Sequence, residues 1–183
     1  MMKQILIGSA LAAIAVFIWG FVFWGSGAFD PFSHVGPVKE TAIAASLKAG
    51  FDEPGVYSIP DQANGTDEEW IERHEAGPIA IVQVQPEGAN PMAPTKLIGG
   101  LAHMFISIVI MAIALGMTNL AAYADRLKLV LLVSLAGTLY ATLTDPIWFH
   151  ATWGYFIWVT AYQMVSWLIA GAILAYFIKP KQT

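Results

Sequence analysis

No cysteine occurs among the 183 residues. That one absence removes disulfides, thiolate nucleophiles, iron–sulfur clusters, thiolate zinc sites and covalent haem attachment. Charge is scarce as well. Only 12% of the residues are Asp, Glu, Lys or Arg, about half the share of an ordinary soluble domain. The chain has no phosphate loop, Gly-x-Ser-x-Gly elbow, dinucleotide fingerprint or His-Glu-x-x-His helix. Nor does it show an internal repeat, a ladder of Arg and Lys along a span, or an intramembrane acidic pair of the kind a proton-driven pump needs.

What the chain has in abundance is hydrophobic length. Ile5–Trp24, Leu97–Met117, Leu129–Thr144 and Phe156–Ile178 contain no Asp, Glu, Lys or Arg at all. Runs of this length match the roughly 30 Å hydrocarbon core that a helix must cross. The predicted fold is a mainly α membrane protein: a four-transmembrane-helix bundle with a small α+β extracytoplasmic insert between helices 1 and 2. Its divisions are a first transmembrane helix over 1–25, a cap over 26–96 and transmembrane helices 2–4 over 97–183. Ser26-Gly27-Ala28 resembles a signal-peptide cleavage site, but the apolar stretch before it exceeds the roughly 7–15 residues of a signal core, so a retained anchor is expected.

Positive charge orients the bundle. Lys3, Arg126, Lys128, Lys179 and Lys181 flank the ends that would be cytoplasmic, whereas the long insert holds four basic against eleven acidic residues. Short inner loops rich in Lys and Arg set topology, so both termini are expected in the cytoplasm of a bacterial inner-membrane protein and 26–96 in the periplasm. The acidic insert argues against nucleic acid as a partner. Membrane lipids, other membrane subunits or further copies of the chain are the partners expected.

Periodicity changes twice within the insert. Pro37–Ala49 reads as an Ala-rich helix stopping at Gly50. Glu53-Pro54-Gly55 turns into a short strand, Val56–Pro60. Thr66-Asp67-Glu68-Glu69 is a capping box opening a helix to about Ala76, which Gly77-Pro78 ends, and Ile79–Gln85 reads as a second strand. The link between the second and third spans is short, which predicts that these two are antiparallel neighbours; the link between the third and fourth is also short and rich in aromatic residues. Small-xxx-small pairs at Gly8/Ala12, Ala112/Gly116 and Gly171/Ala175 mark sites of close helix approach.

His103 is the one ionisable group inside a span that counting places well below the outer interface. A histidine at such depth is a functional candidate needing a named partner. Counting inward brings Tyr140 and Thr142 of the third span, and Thr160, Gln163 and Ser166 of the fourth, to comparable depth. His103, Tyr140, Gln163, Thr160 and Asp145 are therefore the candidates for a polar pocket in the outer half of the bundle. A neutral imidazole satisfied by Tyr140 or Gln163 and serving only to pin helices is the competing reading. His34, His150 and Asp145, with His103, could ligate zinc or copper, although their spacing forms no motif and Pro146 is expected to terminate the third helix. His74 lies in an acidic helix and reads as a solvated surface residue. Trp19, Phe23, Trp24, Trp148, Phe149, Trp153, Tyr155 and Trp158 are expected to form an aromatic belt at the outer headgroups.

Ile14–Trp19-Gly20, Glu53-Pro54-Gly55-Val56-Tyr57-Ser58-Ile59-Pro60, Ala76-Gly77-Pro78, Asn90-Pro91-Met92-Ala93-Pro94 and the aromatic last outer loop together resemble a group of small bacterial inner-membrane proteins with no established activity. The resemblance implies the same plan of one plus three helices with an extracytoplasmic cap, and no functional residue. Three functions follow in order of expectation. The first is a non-enzymatic accessory or structural subunit. The second is a protein binding a lipid, quinone or other apolar ligand around His103, the bound lipid being the sole cofactor-like group. The third is a metal-binding protein on the periplasmic side.

Overall fold

The structure is a computed structural model in which residues 1–179 are described; Lys181 lies outside them. Helix α1 spans Met2–Gly25, α2 Pro37–Gly50 and strand β1 Gly55–Ile59. Then come α3 (Asp67–Ala76), β2 (Ala80–Val84), α4 (Pro94–Gly116), α5 (Tyr123–Thr142), the one-turn α6 (Thr144–Trp148) and α7 (Trp153–Phe177). The chain divides into two compact units, Met1–Phe32 with the chain from Met92 onward, and Ser33–Pro91.

In the smaller unit β1 and β2 form an antiparallel ribbon with Tyr57 opposite Val82. Side chains alternate across it: Val56, Ser58, Ile81 and Gln83 are exposed, while Tyr57, Val82 and Val84 are half-buried. The capping box is present in full: Thr66 Oγ1 accepts from Glu69 N–H and Glu69 Oε2 from Thr66 N–H. The helix it opens stops at Gly77, whose φ of 67° is open to glycine at little cost. Trp70 Nε1 donates to Pro60 O at 3.3 Å and Arg73 Nη2 to Asp61 O at 3.2 Å, which ties α3 to the end of β1.

The larger unit holds four helical stretches long and apolar enough to cross a membrane: α1, α4, Tyr123–Trp148 and α7. They mark a multi-pass membrane protein that is mainly helical, with a small two-stranded sheet. The third stretch breaks at Leu143 and resumes for one turn: α5 ends at Thr142, four residues before Pro146, as a proline-set termination requires. Lacking an N–H, Pro146 cannot donate to Thr142 O four residues back, and it sits instead in the first turn of α6.

Helix order departs from expectation. The main packing pairs are α5 with α7, α1 with α4 and α1 with α7; α4 and α5 touch only sparingly. Glycines explain the choice. A Cβ on Gly171 would lie 3.0 Å from Val130 Cγ1, and one on Gly8 would lie 3.1 Å from Phe177 Cβ. These bare backbone surfaces let α5 and α1 each approach α7 closely. The core runs along the same seams, through Ile5, Ala12, Ile108, Ala112, Val130, Ala170 and Leu174. The helices thus follow the order α4, α1, α7, α5, with a cleft beside α4.

The aromatic side chains also differ from a single belt. Residues 26–32 fold back so that Phe29 stacks on Phe23 at 5.0 Å, with Trp19, Trp158 and Tyr162 around them. Phe23 ends 2% exposed. Trp148, Phe149 and Trp153 remain exposed, as residues of a lipid-facing layer would be. Trp24 touches Phe32 and Tyr162, and Phe32 touches Tyr155.

Candidate binding groove in the helix bundle

Phase, rather than depth, decides which polar residues meet. On α5 the buried positions are Arg126, Val130, Ser134, Thr138 and Thr142, a stripe at four-residue spacing facing α7. Tyr140 falls two residues after Thr138, about 200° further round the helix, and is 84% exposed. It is not part of a pocket with His103. Thr160 and Thr142 meet each other, oxygen to oxygen, at 2.9 Å on the α5–α7 seam. Asp145 is half-buried in α6, its backbone oxygen accepting from Phe149 N–H at 2.9 Å.

His103 and Gln163 do come together. They line a groove of about 320 Å³ between α4 and α7, backed by Val16 of α1. His103 is nine residues into α4 and Gln163 ten into α7, roughly 14 Å along helices that run the same way. Ser107 and Ser166 form a second polar tier one turn deeper, and Met104, Ile108, Trp167 and Ala170 make the apolar remainder, with Tyr162 beside them. Both serine hydroxyls are committed to their own helices: Ser107 Oγ donates to His103 O at 3.0 Å and Ser166 Oγ to Tyr162 O at 2.8 Å. Gln163 is tied to α5, because Thr138 Oγ1 donates to its Oε1 at 3.4 Å. Thr142 Oγ1 in turn donates to Thr138 O at 2.7 Å.

Ser107, Tyr162 and Trp167 were not among the candidates read from the sequence. Ser107 could have been found one helical turn from His103; Tyr162 and Trp167 carried no signal beyond belonging to an aromatic-rich span. Tyr162 owes its place to Gly20, where a Cβ would lie 3.3 Å from the tyrosine hydroxyl.

The metal candidates form no centre. Among the described residues no group of three or more His, Asp or Glu is placed to hold an ion. His150 sits in the loop after α6 with φ of 54°, and His34 belongs to the other unit. That unit has a wider concavity of about 590 Å³ against Phe51, Tyr57, Asn64 and Arg73. Its polar groups mostly hold the unit itself together: Arg73 bonds Asp61 O, Tyr57 Oη bonds Glu53 O at 2.9 Å, and Asp61 Oδ1 accepts from Ala63 N–H at 3.0 Å.

No family model, curated protein or solved structure matches the chain. The site's chemistry therefore has to be argued from its own residues.

Proposed function

We propose that this multi-pass membrane protein is non-catalytic and binds an apolar molecule in the groove between α4 and α7, in a bacterial inner membrane with both termini cytoplasmic. The observation that carries this reading is the pairing of His103 of α4 and Gln163 of α7 at one depth in a cleft whose other lining is mainly apolar, its two serine hydroxyls being bonded to their own helices. Ligand sites combine an apolar lining with a few convergent polar groups, and polar side chains within a span are expensive unless used.

Native mass spectrometry of protein extracted in mild detergent tests it. The wild type is expected to retain a molecule of hydrophobic character, and Ser107→Trp, which fills the groove from its half-exposed wall, to lose it without a change in melting temperature. A wild-type protein that comes out bare from several mild detergents would contradict the reading.

The second reading is an accessory or structural subunit. It is favoured by the open packing order, which leaves long faces of α4 and α5 without a helix of this chain against them. Co-purification of other membrane proteins at fixed stoichiometry, or a stable oligomer of the chain itself, would support it.

A further inference from the structure

Resting on the groove reading above, we infer that Gln163 selects ligands whose polar group is a hydrogen-bond acceptor, and that Thr138 is the residue that orients it to do so. A primary amide offers two donors on nitrogen and an acceptor on oxygen. In this protein the oxygen is engaged: Oε1 accepts from Thr138 Oγ1 across the α5–α7 seam. Thr138 is itself buried, 3% exposed, so its hydroxyl is held against α7, where Gln163 Oε1 is its acceptor. The amide nitrogen makes no hydrogen bond within the described residues and is not sealed from the surface. Gln163 lines the groove, and its nitrogen is the terminus left to face it.

The consequence is a donor presented in an apolar cleft. His103 lines the other side of the groove at the same depth, and an imidazole ring always carries at least one N–H to offer. The complement of two donors on facing walls is a carbonyl oxygen, which has two lone pairs. Depth narrows the class. His103 lies six residues, roughly 9 Å, past Leu97, and Gln163 seven residues, roughly 10 Å, past Phe156, so both sit inside the outer half of a hydrocarbon core of about 30 Å. The ligand is therefore an apolar molecule that carries its carbonyl into the hydrocarbon, either a quinone with a hydrophobic tail or an acyl ester such as a diacylglycerol. A hydrocarbon of equal size fills the same space but leaves the Gln163 donors unpaired.

The experiment uses the full chain in lipid nanodiscs, titrated with decylubiquinone, dioleoylglycerol or pentadecane and read by native mass spectrometry. Wild type is expected to bind at least one of the two carbonyl probes more tightly than pentadecane; which one is bound, together with the mass of the retained endogenous molecule, separates the quinone from the ester. Gln163→Leu keeps the volume and removes the donors. It is expected to weaken the carbonyl probe about tenfold, the value of one buried hydrogen bond, and to leave pentadecane unchanged. Thr138→Val frees the amide to turn its oxygen toward the groove, and is expected to weaken the carbonyl probe several-fold, again without effect on pentadecane. A loss for all three probes in either variant would mark a structural role and overturn the inference. So would carbonyl binding that Gln163→Leu leaves intact, although the groove reading would survive that result. Absence of binding by any probe to wild type would overturn both.

Discussion

Arg126 is only 5% exposed, near the start of an apolar span. Three main-chain carbonyls compensate its charge: Ala175 O receives Nε at 2.9 Å, and Leu120 O and Ala121 O receive Nη1. Ala175 lies in the last turn of α7, where orphan carbonyls and the negative end of the helix dipole attract a cation. In the sequence Arg126 read only as one of the positive charges that orient the bundle; its role as a clamp between the 117–122 link and α7 was hidden because every partner is backbone. Arg126→Leu is expected to lower stability by about 2–4 kcal/mol, seen as a lower melting temperature in detergent, because bonds to a charged donor are worth more than neutral ones. Arg126→Lys recovers only part of this, since an ammonium lacks the planar fork. Equal melting temperatures for the wild type and Arg126→Leu would show that the clamp carries no stability.

Among the elements, helices and strands were largely legible. The capping box, the Gly77 stop and the alternation within the ribbon each depend on a few adjacent residues, so local sequence determines them. The two failures concern relations between elements. The short link from α4 to α5 suggested neighbours, but packing follows where backbones can approach, and the helix glycines with a neighbouring side chain closer than 3.4 Å to an added Cβ, Gly8, Gly20 and Gly171, lie on α1 and α7. Tyr140 was assigned from depth alone, and the structure turns it away from α7, on the side of α5 opposite the buried Ser134, Thr138 and Thr142. His103 and Gln163 met because both depth and phase agreed. Packing through glycine makes a direct prediction. Gly171→Ala puts a methyl 3.0 Å from Val130 Cγ1 and 3.1 Å from Leu127 Cδ1, and should cost about 1–3 kcal/mol by overpacking. Gly137→Ala, on the same bundle but with nothing within 4 Å of the new carbon, should leave stability unchanged or slightly raised. Equal effects of the two substitutions would refute the glycine account of the helix order.

At the scale of the whole molecule, the four apolar helices alternate in direction, so the end of α1, the start of α4 and the α6–α7 loop share one end of the bundle, and Met2, the 117–122 link and Phe177 share the other. The positive charges argue which end is cytoplasmic, while the groove depends only on the helices crossing the bilayer. The absence of native cysteine makes the crossing directly measurable. Single substitutions Glu68→Cys, Phe149→Cys, Asn119→Cys and Lys179→Cys, all at exposed positions, are labelled in intact bacteria with a maleimide that cannot cross the membrane. Labelling of Glu68→Cys and Phe149→Cys, with Asn119→Cys and Lys179→Cys reacting only after the cells are opened, is the result expected. Glu68→Cys and Asn119→Cys reacting alike in intact cells would place both on one side, and the four-span account and its intramembrane groove would be wrong.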